Sequence, residues 1–232
     1  GSSPASEPET KNLVWLMDRY QYIYAYLDVH GAHGAIVYPW GDDATQTTDP
    51  NMNFRNASYD GQRDPNEASY SEYMPPEDVE TFDRLGRAFS TTLNEVRGSS
   101  YSVMPSVQLD PSISSAGGGA ITVIRFRATT GANDDYAYSR HLSNAALGKI
   151  HAFTIEYGSP IAAGADAEEV VAGFQPYIFG EGANILWDLY AGTIGFCLEA
   201  EASLPSARSR LAAAALAALV IIIIIIITRC GG

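Results

Sequence analysis

Two stretches of this chain are apolar on both faces of an extended strand: Tyr22–Val29 (YIYAYLDV), apolar up to Asp28, and Ile150–Tyr157 (IHAFTIEY). A half-buried strand alternates apolar and polar residues, so a run without alternation needs cover on both sides. The surrounding sequence offers that cover as helices. Glu7–Tyr20 places Leu13, Leu16 and Met17 on one face, with Ser6, Pro8 and Glu9 as its start signal. Glu77–Val96 is a second helix, stopped by Gly98 after Arg97, and Asp134–Leu142 and Gly182–Glu199 are two more, the last amphipathic. Tyr101–Leu109 reads as a further strand. Buried strands alternating with helices specify an α/β sheet covered on both faces. Gly41–Pro76 is a long polar loop, a length that usually serves function.

Composition narrows the function classes. The 232 residues carry a net charge of −13, and between Asp28 and Asp83 there are 12 acidic residues against Arg55 and Arg63. Nucleic-acid binding needs clustered Lys and Arg, so no nucleic-acid partner is expected. Two cysteines, Cys197 in an apolar run and so expected as a buried thiol, and Cys230 near the end, make neither a disulfide framework nor a thiolate zinc site. The opening Gly1-Ser2-Ser3 leads straight into a helix start, with no signal-peptide pattern to be expected from these residues. The tail over 205–232 contains Leu211–Ile227, 17 uncharged residues with seven consecutive isoleucines, flanked by Arg208, Arg210 and Arg229. As a helix it would span about 25 Å, the short limit for a bilayer, so it is a candidate membrane anchor, a low-complexity extension or a buried helix. Residues 110–128 begin linker-like (DPSISSAGGGA) and turn strand-like (ITVIRFR), and read as an insert within a domain over 1–204.

Three places could carry chemistry. His30 follows a buried strand directly, where open α/β sheets bind ligands, and Asp28 is near enough to influence its setting. The structural reading, a hydrogen-bonded histidine, competes with a metal ligand. Glu156 stands at the exit of an apolar strand. There burial would raise its carboxyl toward general-base values, while a salt-bridged or solvated glutamate is the plain alternative. Asp134 opens a short helix, where it could simply cap.

These pieces occur together in a recognisable order. SEPET (Ser6–Thr10), DVHGAHGAIVYPWGDD (Asp28–Asp43), YDGQRD (Tyr59–Asp64), TTGANDDYAYSRH (Thr129–His141) and HAFTIEYG (His151–Gly158) resemble segments of the zinc metallocarboxypeptidases of the carboxypeptidase A/B type. The resemblance spans most of Ser6–Ala200 and corresponds to the C-terminal half of the catalytic domain. It implies a mixed, mostly parallel sheet with helices on both faces, one Zn2+, and hydrolysis of C-terminal residues from peptides and proteins in an extracellular setting. It implies further that His30 is a zinc ligand. Glu156 is then the general base that takes a proton from the attacking water and returns it to the leaving amine. Asp134 lies at the base of the side-chain pocket, where an acid suits a basic C-terminal residue.

The departures define a second expectation. The family's other two zinc ligands come from a His-x-x-Glu motif, and none of His30, His33, His141 or His151 has Glu three residues later. The Asn-Arg pair that grips the substrate's terminal carboxylate does not occur as a dipeptide, and Arg127 stands where the family's mobile tyrosine is expected. One of three expected protein ligands is therefore present. His33 is a candidate second, and this chain is expected to be inactive as it stands. The alternative is a non-catalytic peptide-binding pseudo-peptidase, tethered or not through Leu211–Ile227. Half a sheet would also leave both apolar strands short of neighbours and prone to aggregation.

Overall fold

The computed structural model describes residue 3 and residues 5–63, 69–109, 132–160 and 165–204. The expected insert 110–128, Arg127 and the tail 205–232 lie outside the described residues.

Five helices are described: α1 (Pro8–Arg19), α2 (Pro76–Arg97), α3 (Asn133–Ser143), α4 (Ala167–Phe174) and α5 (Glu181–Ala202). The strands are β1 (Ala25–Gly31), β2 (Ala35–Tyr38), β3 (Thr45–Gln46), β4 (Glu72–Tyr73), β5 (Ser102–Pro105) and β6 (His151–Tyr157). The main sheet has the order β1-β6-β2-β5, with β1 parallel to β6, β2 parallel to β5, and β2 antiparallel to β6. It is the mixed, mostly parallel α/β sheet expected. β6 has a neighbour on either side, whereas β1 is an edge strand among the described residues, so the expected shortage of neighbours applies to β1 alone.

Alternation along β1 and β6 divides the core into two layers. Leu27, Phe153 and Ile155 point into the larger cluster, with Phe82, Leu85 and Phe89 of α2 and Phe196 of α5. Tyr26 and Ala152 point the other way, against Leu13 and Met17 of α1 and Ala137 of α3. This is the two-sided cover that the unalternating strands demanded.

The helix α2 is a regular amphipathic element, ended by Gly98 in the left-handed region (φ 73°), which a Cβ would strain. It lies very close to α5: a Cβ on Gly195 would come within 2.7 Å of the Ala88 carbonyl oxygen. Four expectations are corrected. Helix α1 starts at Pro8 after Glu7 with no side-chain cap, because the Ser6 hydroxyl turns to the Glu7 carboxylate instead (2.9 Å). The predicted strand Tyr101–Leu109 becomes a 3₁₀ turn from Ser106. Cys197 is half-buried rather than fully buried. Helix α5 is apolar on its solvent face as well, with Leu186, Trp187, Tyr190, Ile194 and Leu198 exposed. Helix α4 is an addition to the expected elements, although its Asp166–Glu169 capping box is a local signal. Among the described residues no helix is long and apolar enough to cross a membrane.

Candidate functional site

The site lies where β1 and β6 end side by side. In their parallel register His30 is the partner of Glu156, and Asp28 the partner of Thr154. Successive side chains of a strand alternate, so Tyr26, Asp28 and His30 share the face that carries Glu156. The chain leaves β1 through a cis peptide between Gly31 and Ala32, and Gly34 (φ 66°) brings the adjoining loop against the Gly158 carbonyl. Only glycine fits at Gly34: its backbone is left-handed, and a Cβ would stand 2.9 Å from the Gly158 oxygen.

Asp28 organises the cluster. Its Oδ2 lies 3.1 Å from His30 Nε2 and accepts a hydrogen bond from Asn133 Nδ2 at 2.6 Å. Burial pushes the Asp28 carboxyl up, but the bonds from His30 and Asn133 outweigh it and hold the group below the usual carboxylate range. In return, the Asp28 carboxylate raises the His30 ring above the ordinary histidine value, against the opposing effect of burial. With Nε2 engaged, Nδ1 is the nitrogen left to meet a ligand.

The start of α3 brings in the second carboxylate. Asp134 is 1% exposed and accepts the Ser106 hydroxyl at 2.8 Å. It does not cap the helix: residue Ala132 stands at the N-cap, and Asp134 is turned inward. Its Oδ1, like Asp28 Oδ1, is buried and has no hydrogen-bond partner among the described residues. Burial raises the Asp134 carboxyl. The neighbouring Asp135 accepts the Gly41 backbone N–H at 3.1 Å and so pins the entrance of the long loop to α3. Glu156 is likewise raised, mainly by burial and partly offset by the His30 charge, which is the condition wanted of a general base.

The structure therefore gathers His30, Glu156 and Asp134, three residues spread over more than a hundred positions, around Asp28 and Asn133. Ser106 was missed by sequence reasoning; a serine after a short strand carries no local signal of its role. His33 is held otherwise. Its backbone N–H donates to the Tyr157 carbonyl at 3.2 Å, and burial lowers its ring. Among the described residues, no group of three or more His, Cys, Asp or Glu side chains is placed to hold a metal ion. Catalytic zinc usually takes three protein ligands, so the described donor set, one imidazole nitrogen beside Glu156, does not fit a complete zinc centre.

Comparison with known proteins puts this arrangement in context. Among curated proteins, none matches the chain. The profile of the zinc carboxypeptidase family matches residues 1–170, which takes in β1, β2, the long loop, α2, α3 and β6 and with them every residue of the cluster. On that match, the chain belongs to the zinc carboxypeptidase family.

Proposed function

We propose that the strand-end cluster is a carboxypeptidase-type site that receives the C-terminal residue of a peptide or protein. The observation that carries this reading is the pairing of His30 and Glu156 in one register, with the buried Asp134 beside them. Glu156 is the group that takes a proton from a water attacking the scissile carbonyl and returns it to the leaving amine. Its raised carboxyl is matched to both transfers. Asp134 is the pocket's acid. A buried carboxylate whose Oδ1 has no hydrogen-bond partner among the described residues is costly to leave charged, and the ammonium or guanidinium of a basic C-terminal residue offsets that cost. His30, oriented by Asp28, is the residue that offers a nitrogen to zinc.

The described donor set favours binding over turnover for this chain by itself. No step is assigned to zinc, because one imidazole does not hold it in catalytic geometry. The test is a pair of measurements on the full chain after dialysis into metal-free buffer and back into buffered zinc. The first is zinc per chain. The second is binding and cleavage of a peptide ending in lysine, beside the same peptide ending in phenylalanine. Expected are well under one zinc per chain, preferential binding of the lysine peptide, and no release of lysine. Asp134→Asn should abolish the preference. Chelator-sensitive release of lysine, lost in Glu156→Gln, would establish the chain as a working enzyme. Equal or absent binding of both peptides would reject the pocket.

A further inference from the structure

The outer face of α5 has the composition of an inner one. Leu186, Trp187, Tyr190, Ile194 and Leu198 are all exposed, Trp187 at 65%. At about 100° per residue they fall within an arc of about 120°. Ile185, Asp188, Gly192 and Phe196 are buried on the opposite side, with Phe196 against Phe89 of α2 and Phe153 of the sheet. Just before the helix, Tyr177, Ile178 and Phe179 are exposed as well. Contiguous apolar surface of this kind marks a place of association.

The charges around this face select what fits it. Glu181 and Glu199, near the two ends of α5, are met by Arg97 and Arg84 of α2. Glu201 is different. By the same 100° rule it falls in the middle of the apolar arc, at its C-terminal end, and it has no ion-pair partner among the described residues. The last turn of α5 contains no basic residue, and the negative end of the helix dipole lies there. Between Lys149 and Arg208 the sequence has no Lys or Arg. A second copy would set Glu201 against its own Glu201 in a parallel pair, or against the apolar end of the arc in an antiparallel one, and its α5 brings no cation to either. A lipid surface is matched no better, since helices that lie on membranes carry Lys and Arg on their polar face. The complement of this face is an apolar stripe ended by cations. The stretch from Leu186 to Leu198 is about 18 Å long, or roughly three helical turns. We propose that the outer face of α5 docks an amphipathic helix of a partner protein, with leucine-type residues at i, i+3, i+4 and i+7 along Leu186–Leu198 and a Lys or Arg at Glu201.

Hydroxyl-radical footprinting of the full chain, read residue by residue by mass spectrometry, tests this. The probes are synthetic helices of about 16 residues with leucines along one face, glutamines elsewhere and lysines at one end, made with the lysines at either terminus. Trp15, 59% exposed on α1, is the standard for an open tryptophan, and the buried Trp40 reports on integrity of the fold. Without probe, Trp187 should be labelled at the Trp15 rate. With one of the lysine probes Trp187 and Tyr190 should be labelled several-fold more slowly while Trp15 is unchanged, and the same helix ended in glutamates should bind about tenfold more weakly. In the full-length Glu201→Gln variant that difference should vanish. In the double variant Ile194→Glu, Leu198→Glu docking should be lost, whereas an unspecific attraction of lysine peptides to this acidic chain would be strengthened by the added charge. Equal protection by the lysine and glutamate probes, or by a scrambled lysine peptide, overturns the proposal, as does protection that survives the double variant. Protection by phosphatidylcholine vesicles in place of the probes assigns the face to a lipid surface and overturns it too. A Trp187 labelled more slowly than Trp15 without any probe also overturns it: the face is then covered within the chain, or by a second copy if the protection grows with protein concentration. Should Trp40 become labelled in the double variant, Glu201→Gln carries the comparison.

Discussion

Two carboxylates in this molecule are equally removed from water and differently treated. Asp188, in the α2–α5 layer, is 0% exposed, and Asp134, at the strand ends, 1%. Asp188 is met by the Arg97 guanidinium, Nη2 at 2.5 Å and Nε at 3.1 Å, and Arg97 reaches on to Glu181 at 3.1 Å. Asp134 is met by the Ser106 hydroxyl, and among the described residues it has no ion-pair partner and its Oδ1 no hydrogen-bond partner. A buried charge with its counter-charge serves the packing of helices. A buried carboxyl without a described one is the feature on which the proposed pocket rests. The contrast separates the α2–α5 layer from the candidate site at the strand ends, and it holds although both residues lie in helices that pack on one sheet.

The largest expected effect falls on the helix layer. Arg97→Ala would leave Asp188 buried and uncompensated, at a cost of about 3 kcal/mol, the lower part of the range for broken buried pairs because Arg97 is itself partly exposed. Urea unfolding of the two proteins reads this as a shift in midpoint. A loss below about 1 kcal/mol would show that Asp188 finds other partners and would break the comparison.

A similar magnitude is expected from acid. His151 is packed against Tyr24 and Phe82, and burial lowers its ring to about 4. A histidine with a lowered value binds its proton more weakly in the fold than in the unfolded chain. Its contribution is therefore full above the unfolded value near 6.5 and is lost as pH falls from there toward 4. The loss is on the order of 3 kcal/mol across that window. His151→Phe should flatten this limb of the stability–pH curve; an unchanged limb would place the acid sensitivity elsewhere.

Gly195→Ala probes the same helix layer by overpacking. Its Cβ would meet the Ala88 carbonyl and the Thr92 side chain, so α2 and α5 must part, at about 1–3 kcal/mol. The mirror test at the strand ends should give the smallest change. The Asp134 carboxyl is raised by burial, so its contribution is present below the unfolded value and is lost as pH rises through the folded one; at neutral pH its charge is a burden. Asp134→Asn keeps an acceptor for Ser106 and should shift stability at neutral pH by less than about 1 kcal/mol, without destabilising. A loss as large as that of Arg97→Ala would make Asp134 a structural residue and erase the distinction.

Much of the architecture was legible because it rests on local patterns. The strands without alternation required cover on two sides, and α2 announced its end with Arg97 and Gly98. The candidate residues His30, Glu156 and Asp134 were legible as individuals and through the resemblance of their segments. The partners that tune them were less so. Asn133 was visible only as part of a helix start, and Ser106 not at all, since each acts across the fold: Asn133 on Asp28, 105 positions away, and Ser106 on Asp134, 28 away. The amphipathic reading of Gly182–Glu199 failed for a different reason: polar residues such as Asp188 turned inward to meet Arg97, leaving Trp187 and Tyr190 outside.

By itself the sequence determined the class of fold, the order of its principal elements and the family, because periodicity, caps and motif segments are properties of neighbours along the chain. Tertiary structure alone decided which buried carboxylate is neutralised and which is open, that His30 faces Glu156 while its ring is held by Asp28, and that α5 turns an apolar face outward. Those are matters of which side chains approach to within a few ångströms across the sheet, and burial, charge pairing and pKa depend on that approach rather than on position in the chain.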